Sequence, residues 1–494
     1  MSSGYFRSLS APQLTLLSFF LFILVGSILL WISESSNGLP FIDALFTSVS
    51  ATCVTGLLTT DFSKFTFAGQ FITMILIQVG GISVIAFLRL IWYGQYNDRG
   101  FLSHRILGEI VDIHGASRTV LYFLYSTIRI TIAIEMVGFV FLWFFADEVS
   151  GWQRVWLALF TSVSAFNNAG ISIFYDGLVP FADNFPFSSM VMLLIILGGI
   201  GYPVLIGLER LFLVVAEKAA NRLIVNIETR VMTQGRFEGL FIGLYTITEA
   251  TRLKAADMLD EIKGHATTVQ IKVVILWTFI LLLAGTVFFF LIEQSNPQSI
   301  GGYGTIQQWF HSLFMSVTSR TAGFNIVDTT HFVASSYVFL VLLMFVGAAP
   351  QGTAGGIKIT TFALVVAYLR DSFKGLTRVR LFGQVIARNS ISNAVKLYVM
   401  STAFIFLAAL ILIVLNPDYL FMKVLFDTVS AFGTVGLSSG FCNGELSDLS
   451  KGILILAMFI GRVNLLNVGA AFFPRIEGPV SGTQTEDGIK LQVG

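Results

Sequence analysis

The chain has 494 residues, of which 55% are hydrophobic and only 12% are charged, and its mean hydropathy is +0.80. Soluble domains average about 25% charged residues, so this composition excludes a soluble globular protein and indicates an integral membrane protein. The net charge of +1 arises from 30 basic and 29 acidic residues that nearly cancel, and it gives no sign of a nucleic-acid partner.

Eight apolar stretches are long enough to cross a membrane, which takes roughly 20 residues. In chain order they form four pairs: 14–32 and 71–91, 120–145 and 190–215, 273–292 and 337–369, and 397–415 and 453–473. No small-residue cleavage site follows the first stretch, so we expect a retained span and not a signal peptide. The two cysteines, Cys53 and Cys442, lie too far apart in sequence to predict a disulfide framework or a metal site.

A short motif recurs between the two members of each pair. It reads FTSVSATCVTGL at 46–57, FTSVSAFNNAGI at 160–171, FMSVTSRTAGF at 314–324 and FDTVSAFGTVGL at 426–437. Each copy spans about three helical turns and ends in small residues and a glycine, which is typical of a pore helix that runs into a tight loop. Four such loops around one axis would form a ring of carbonyl oxygens able to replace the water around a cation. The alternative is four surface turns between helices.

Two spans per motif mean that every repeat enters the membrane from the same side. The repeats are then parallel about an axis along the membrane normal, as suits a pore, whereas inverted repeats would indicate an alternating-access transporter. Most lysines and arginines fall between the repeats, so the positive-inside rule places these connections in the cytoplasm and the motif loops outside. The predicted fold is an all-α membrane protein with four parallel repeats of span, re-entrant loop and span around one pseudo-fourfold pore.

The predicted domain organisation follows the repeats. They cover 10–95, 118–216, 269–370 and 394–473, with a cytoplasmic connection at 217–268 and a polar tail at 474–494. The connection is either a docking surface for a partner or a solvated amphipathic hairpin. The outer loops carry the acidic residues Asp43, Asp61, Asp176, Asp183, Asp328, Asp427, Glu445 and Asp448. These either concentrate cations at the pore mouth or only solvate the loops.

The second span of the third repeat contains FVGAAPQGTAGGIKITT at 345–361. Pro350, Gly352, Gly355 and Gly356 are unfavourable in a regular helix. A broken helix at membrane depth is tolerated where it is buried in protein or lines a water-filled cavity. We therefore expect a loop that lines the pore below the ring, with residues 347–358 as a candidate gate; the alternative is a plain kink.

Charged residues inside the spans also need an explanation, because a charge at membrane depth normally faces the bundle interior or an aqueous path. Arg462 either forms an electrostatic barrier in the pore or holds helices together through a salt bridge or carbonyl contacts. Arg129 and Glu135 are six residues apart, which is not a same-face helical spacing, so we expect structural roles without mutual pairing. The mid-span glycines Gly80, Gly198, Gly347 and Gly461 predict close helix packing.

These motifs together resemble the Trk/Ktr/HKT superfamily of potassium transporters over about residues 10–473. The resemblance rests on the loops TCVTGL, FNNAG, SRTAGF and FGTVGL, on PQGTAGGIKITT, and on Gly-Arg-Val at 461–463. It is closest to the membrane subunit of the Ktr type, because no helix pair precedes the first span. The family usually continues with Gly-Pro after Gly-Arg-Val, whereas this chain has Asn464 and Leu465 and runs on into a polar tail, so the packing of its C-terminus stays open.

The resemblance implies K+ uptake through a channel-like path with a filter of backbone carbonyls, and no catalytic residue. The implied filter residues are Val54, Thr55, Gly56, Asn168, Ala169, Gly170, Thr321, Ala322, Gly323, Thr434, Val435 and Gly436. The implied gating residues are Gly347, Pro350, Gly352, Thr353, Gly355, Gly356, Lys358 and Arg462. Glycine at all four filter positions favours K+ over Na+. The resemblance further implies a homodimer in the lipid bilayer of the cell membrane, a cytoplasmic nucleotide-binding regulatory ring, and no organic cofactor.

Two rival functions share features with this sequence. A secondary transporter of the same fold that couples K+ to Na+, or carries Na+, stays open because no sequence feature excludes a second ion site. An intramembrane hydrolase is suggested by Gly-Leu-Ser-Ser-Gly at 436–440, which matches the G-x-S-x-G elbow. That motif has meaning only between a strand and a helix of an α/β sheet, which this chain is not expected to form.

Overall fold

The structure is a computed structural model that describes residues 10–82, 117–209, 265–472, 489 and 491–492. The expectations for the connection up to residue 264, for most of the tail, and for the ends of the second spans in repeats 1 and 2 lie outside these residues. The described part is mostly helical, as expected, and its one sheet is a two-stranded hairpin.

The helices follow the four repeats. The first repeat contains α1 (Ala11–Ser33), α2 (Phe41–Thr52) and α3 (Phe67–Ile82). The second contains α4 (Ser117–Phe145), α5 (Gly151–Phe166), α6 (Phe185–Gly199) and α7 (Tyr202–Glu209). The third contains α8 (His265–Glu293), α9 (Thr305–Thr318), α10 (Ala334–Phe345) and α11 (Ile359–Phe373). After β1 (Arg380–Leu381) and β2 (Gln384–Val385), the fourth contains α12 (Arg388–Leu415), α13 (Phe421–Gly433), α14 (Asp448–Val463) and α15 (Leu465–Phe472).

The first helix of each repeat is long and apolar enough to cross a membrane. Within the described residues these are four helices, and up to six spans result if the bent pairs α6–α7 and α14–α15 each count as one. Helices α3 and α10 are shorter apolar helices of 16 and 12 residues. The helical architecture is therefore that of a membrane protein, and the full set of eight spans stays a prediction.

The short helices α2, α5, α9 and α13 carry the repeated motif and occupy the interior. Each packs against a helix of the preceding repeat: α5 contacts α3, α9 contacts α6, and α13 contacts α10. The remaining contact, between α2 and α14, joins the first repeat to the fourth. The four motif helices are thus linked in a closed cyclic order.

Serine hydroxyls fasten the motif helices to the long helices in the first three repeats. Ser48, Ser162 and Ser316 donate to the carbonyls of Ile23, Glu135 and Leu282, respectively, at 2.7 to 2.8 Å. Each serine faces a glycine of the long helix (Gly26, Gly138 and Gly285), where a Cβ atom would overlap the hydroxyl. Small residues therefore set the close approach of these helix pairs, as is common inside membranes.

Three of the four mid-span glycines pack as the sequence predicts. A Cβ atom on Gly80, Gly198 or Gly461 would overlap the carbonyl oxygen of a motif-helix residue, which is Thr52, Phe166 or Phe432. Gly347 differs, because its nearest atom is the carbonyl oxygen of Gly355 in the broken segment. The third repeat thus uses its glycine to close a loop.

Two of the predicted second spans, at 190–215 and 453–473, contain a sharp bend that the sequence did not predict. Helices α6 and α7 meet at 107°, and α14 and α15 meet at 93°. The first bend lies at Gly201, whose φ of +85° is left-handed and which precedes Pro203 by two residues. The second lies at Asn464, whose φ is +79° and whose side-chain oxygen accepts from the N–H of Leu466 at 3.0 Å. Both residues therefore start a new helix in a new direction.

The hairpin follows α11 and is held by one ion pair. Asp371 accepts two hydrogen bonds from the Arg370 guanidinium, at 2.7 and 3.0 Å, and one from the N–H of Arg380 at 3.0 Å. The hydrogen bond with Arg370 is the main cause that lowers the pKa of the Asp371 carboxyl. Ile489 pairs with Ile386 beside the hairpin, so part of the predicted tail returns to this end of the molecule.

Candidate functional site

The four motif loops share one backbone conformation. The first of the three predicted filter residues in each loop is left-handed: φ is +58° at Val54, +59° at Asn168, +78° at Thr321 and +51° at Thr434. Two residues later each loop has a glycine with positive φ, +96° at Gly56, +66° at Gly170, +76° at Gly323 and +93° at Gly436. Such angles are uncommon outside glycine, so four copies in register indicate a constraint shared by all repeats.

That constraint is the closure of a ring. A Cβ atom on Gly56 would overlap the carbonyl oxygen of Ala169, and one on Gly170 would overlap that of Ala322. The same relation joins Gly323 to Val435 and Gly436 to Thr55, which returns to the first repeat. All twelve predicted filter residues therefore lie in four loops that meet around one centre. The carbonyl of each middle residue reaches the glycine of the preceding loop, which leaves no room for a side chain there.

Hydrogen bonds behind the ring fix the loops through their N–H groups. The N–H groups of Thr55, Ala169 and Val435 bond to motif-helix carbonyls at 2.7 to 2.8 Å. Ser50 and Ser430 each accept from the N–H of the ring glycine of their own repeat at 3.0 Å. Because these N–H groups bond to the motif helices, the carbonyl oxygens of the loops are left free to face the centre of the ring.

The residue directly before each ring segment differs between repeats: it is Cys53, Asn167, Arg320 or Gly433. In the second repeat the Asn167 amide donates to a Glu135 carboxylate oxygen at 2.8 Å and to the Gln78 side-chain oxygen at 3.1 Å. The Gln78 amide donates to the other Glu135 oxygen at 3.1 Å. Glu135, only 8% exposed, therefore braces the second loop from behind.

Arg129 and Glu135 do not pair with each other, as the spacing predicts. Arg129 instead forms an ion pair with Glu209 at 2.5 Å, which joins α4 to α7. Arg320 is buried and directs its guanidinium to the carbonyl of Gly347 at 3.4 Å. It therefore connects the third motif loop to the broken segment that follows α10.

The broken segment, residues 346–358, forms a loop whose two ends are tied together. Val346 pairs with Ile357 as a β-bridge, and the N–H of Gly347 donates to the carbonyl of Ile357 at 2.8 Å. The prediction that Pro350 and the neighbouring glycines break the helix is thus confirmed over more residues than a kink requires. All the predicted gating residues except Arg462 lie in this segment.

The segment is seated on the bend between α6 and α7. The N–H of Ala349 donates to Gly199 at 2.9 Å, and the N–H of Tyr202 donates to the carbonyl of Gln351 at 3.1 Å. Lys358 donates to the carbonyl of Ala354 within the same loop. The bend between α6 and α7, which the sequence did not predict, therefore supports the broken segment, which the sequence did predict.

The segment also touches the ends of two motif helices. The Thr353 hydroxyl donates to the carbonyl of Phe166 at 3.2 Å, at the end of α5. The N–H of Gly355 donates to the hydroxyl of Thr434 at 3.0 Å, in the fourth ring loop. Arg462 donates to the carbonyl oxygens of Thr353 and Gly80, so it ties this segment to α3. The sequence left two roles open for Arg462, an electrostatic barrier and a contact that holds helices together. The structure shows the carbonyl contacts of the second role.

Two of the acidic residues that we assigned to the outer loops, Asp43 and Asp427, are buried. Neither of them lines the mouth of a pore or solvates a loop. Asp43 is 4% exposed and bonds to the Lys451 ammonium at 2.7 Å and the Thr59 hydroxyl at 2.6 Å. Asp427 is fully buried and accepts from the N–H groups of Ser439 and Cys442, each at 2.7 Å. Both lie on motif helices, where a buried charge must be paired or hydrogen-bonded.

Both serines of the suggested hydrolase motif are hydrogen-bonded to Asp427. The hydroxyls of Ser438 and Ser439 donate to this carboxylate at 2.7 and 2.8 Å. The motif begins at the ring glycine Gly436 and follows helix α13, which is not the strand-to-helix turn that the elbow requires. These serines therefore shape the loop beyond the ring.

Sequence reasoning missed two carboxylates that brace the repeats. Glu34 accepts from the N–H of Thr66 at 3.0 Å and from the Asn37 amide at 2.6 Å. Glu293 accepts from the N–H of Val333 at 2.9 Å and from the Asn296 amide at 2.7 Å. The spacing Glu-x-x-Asn occurs at the same place in repeats 1 and 3, so the internal repeat itself was the signal that could have found them.

Comparisons with known proteins agree with the resemblance found in the motifs. The family described as TrkH, cation transport protein, matches residues 2–233 and 251–477. The Ktr system potassium uptake protein B of Vibrio alginolyticus is 32% identical over 463 residues, which cover 92% of this chain and 90% of that protein. The potassium/sodium uptake protein NtpJ of Enterococcus hirae is 28% identical over 474 residues, 94% of this chain and 92% of that protein. The structure of the potassium transporter TrkH from Vibrio parahaemolyticus covers 93% of this chain and 84% of its own, with a TM-score of 0.66 at 16% identity, which shows a common fold.

Proposed function

The chain belongs to the TrkH family of cation transport proteins, and from this premise we propose that it takes up K+ along the axis of the four-loop ring. The observation that carries the proposal is the cyclic contact of the ring glycines with the carbonyls of the next loop. A closed ring of backbone oxygens offers a cation the ligands that it loses with its water.

The twelve ring residues form the selectivity filter in this proposal. The C-terminal ends of α2, α5, α9 and α13 all lead into the ring, and each contributes about half a negative charge to its surroundings. Their combined field favours a cation at the centre. The hydrogen bonds behind the ring keep the carbonyls in place when the ion enters or leaves.

The membrane topology in this proposal is eight spans, with the filter loops open to the outside and the inter-repeat connections in the cytoplasm. Each repeat contributes a first span, a re-entrant motif helix and a second span. The four long apolar helices and the cyclic packing of the motif helices support it. The sidedness rests on the distribution of lysine and arginine in the sequence.

The gate in this proposal is the segment 347–358 together with Arg462. The segment lies against the fourth ring loop and the end of α5, and Arg462 is bonded to it. A guanidinium near the ion path repels a cation that leaves the filter. Opening would then move the segment and the arginine away from the axis together.

A homodimer with a cytoplasmic nucleotide-binding regulatory ring is the proposed assembly. The relative from Vibrio alginolyticus is named as one protein of a Ktr system, which supports a partner for this chain as well. Transport would then depend on that partner, and the cytoplasmic connections would receive its signal.

A second candidate is a transporter of the same fold that carries or couples Na+. One observation favours it: a relative that covers 94% of this chain is named a potassium/sodium uptake protein. Against it stands the glycine at all four ring positions, which favours K+ by resemblance. The two candidates differ in whether Na+ competes for the same path or is required for uptake.

The test is uptake of ⁸⁶Rb+ by cells that lack their own K+ uptake systems and produce this chain. We expect growth at low external K+, and Rb+ uptake that K+ inhibits strongly and Na+ only weakly, whether or not Na+ is present. Uptake that requires Na+, or that Na+ inhibits as well as K+ does, would establish the second candidate. A chain that reaches the membrane without supporting uptake, also after co-production with its partner, would contradict both.

A further inference from the structure

The contact between Gly355 and Thr434 differs from the other contacts of the broken segment. The N–H of Gly355 donates to the Thr434 hydroxyl at 3.0 Å, and both residues are buried. Thr434 is the left-handed first residue of the fourth ring loop. A backbone group of the segment is therefore bonded to a side chain of the ring itself.

The equivalent residues of the other three ring loops have no such bond. Val54 has no hydroxyl, and the buried hydroxyl of Thr321 has no hydrogen-bond partner among the described residues. The Asn168 amide, oriented with its nitrogen as donor, reaches Ala165 and Ile195 of its own repeat at 3.1 Å. Within the described chain, the fourth loop is thus the one whose first side chain bonds to the segment.

Glycines on both sides make this approach possible. A Cβ atom on Gly356 would lie 3.0 Å from the carbonyl oxygen of Gly433, and one on Gly355 would overlap the Thr434 hydroxyl. Gly433 occupies the position that Cys53, Asn167 and Arg320 fill in the other repeats. Its missing side chain leaves the backbone of the fourth loop open to the backbone of the segment.

We propose that the Thr434 hydroxyl is a positioning residue that couples the intramembrane segment to the fourth loop of the ring. This inference rests on the proposed function, because it assigns a gating consequence to one hydrogen bond. When the segment leaves the axis, Thr434 loses its donor, and the fourth loop loses a bond through its first ring side chain that the other three loops do not make. The coupling is reciprocal, so an ion that orders the fourth loop also changes the stability of the seated segment.

The seated segment is the arrangement that this hydrogen bond stabilises. Loss of a neutral buried hydrogen bond shifts such an equilibrium by about fivefold. Thr434→Val removes the hydroxyl but keeps the shape, and Val54 shows that valine is compatible with this left-handed position. We therefore expect Thr434→Val to release the segment and to raise the initial rate of Rb+ uptake into proteoliposomes about fivefold.

Matched variants separate coupling from a simple change in the ring. Thr321→Val removes the same group from the equivalent position, so it measures what the loss of a filter hydroxyl does by itself. Thr434→Ser keeps the hydroxyl and should transport Rb+ more slowly than Thr434→Val does. Gly355→Ala displaces the donor instead of the acceptor, and should raise the rate in the same direction even if Thr434→Val does not fold.

The deciding comparison is the double variant Thr434→Val with Gly355→Ala. If one hydrogen bond carries the effect, the double variant has the rate of the single variants and not the product of their effects. A multiplicative effect, or a Thr434→Val rate equal to that of Thr321→Val, would overturn the coupling. A wild-type chain that transports no Rb+ would instead overturn the proposed function, so the two failures are distinguishable.

Discussion

The four repeats are alike around the ring and differ around the broken segment. Around the ring, all four loops keep the same pair of left-handed residues and the same glycine-to-carbonyl contact. Below the ring, the second helices differ: α3 is unbroken to Ile82, α6 and α14 bend at their ends, and α10 gives way to a loop. The repeats therefore share one geometry in the layer of the ring and differ in the layer of the second helices.

The ring loops and the second helices differ in this way because they contact different sets of neighbours. Each ring loop contacts the loops on both sides, so a change in one copy disturbs two neighbours and the cycle does not close. The inner helices have different neighbours in each repeat, and one obstruction is enough to close a path. In the proposed function, symmetry therefore marks the part that would bind an ion from all sides, and its loss marks the part that would control passage.

The largest expected effect is at the ring. Gly56→Ser places a side chain at φ +96° and against the carbonyl oxygen of Ala169, which is backbone and cannot rotate away. The left-handed conformation alone costs a non-glycine residue about 1–2 kcal/mol. We expect at least about a tenfold loss of Rb+ uptake, or loss of the preference for K+ over Na+, measured by ion competition.

The control for this substitution is Gly452→Ala in α14, where a Cβ atom would meet no atom within 4 Å. It should leave uptake and ion preference unchanged. If the comparison between layers is right, alanine at Gly170, Gly323 or Gly436 should be as damaging as serine at Gly56. A Gly56→Ser variant that keeps its ion preference would contradict the assignment of the ring as the filter.

A smaller effect of opposite sign is expected below the ring. Arg462→Ala removes both a positive charge and the bonds to Thr353 and Gly80, so the segment loses one of its ties. We expect Rb+ uptake to rise about three- to tenfold, the range that one or two lost hydrogen bonds allow. The measurement is the initial rate in proteoliposomes at equal protein content.

Arg462→Lys separates the two roles that the sequence leaves open for this residue. Lysine keeps the charge but cannot reproduce the two-sided contact of a guanidinium. A lysine variant as slow as the wild type would assign the effect to the charge, whereas one as fast as the alanine variant would assign it to the ties. An alanine variant slower than the wild type would show that neither role restrains uptake.

The sequence predicted the ring well because the motif that forms it is repeated four times in the chain. Four copies of one motif, each with a glycine at the same place, predict one loop geometry, and the shorter third copy still reaches it at Thr321. The broken helix at 347–358 was also predictable, since proline and three glycines act locally on the backbone. Both inferences needed no knowledge of the neighbouring repeats.

The inner bends and the fate of buried charges were not predictable in the same way. One asparagine at 464 is compatible with a straight helix, and only the packing of the next element decides between bend and span, whereas the bend at Gly201 had a local signal in the glycines around it and Pro203. Asp43 looks like an outer charge in sequence because its partner Lys451 lies far along the chain, and Asp427 looks like one because it is bonded by backbone N–H groups that follow the fourth ring loop. Tertiary contacts therefore decided these cases.

The smallest expected effect lies between the layers, at the carboxylate behind the second loop. Both oxygens of Glu135 accept from amide N–H groups, of Asn167 and Gln78, so a glutamine there would turn its own N–H₂ towards a donor. We expect Glu135→Gln to lower the free energy of unfolding by about 1–3 kcal/mol, and to reduce uptake less than the ring substitutions do.

The control is Glu209→Gln, which breaks the half-exposed pair with Arg129 and should lower the free energy of unfolding by less than about 1 kcal/mol. Thermal unfolding in detergent compares the two. If they are equally stable, the brace does not stabilise the fold. A changed ion preference in Glu135→Gln alone would show that divergence behind the ring reaches the filter.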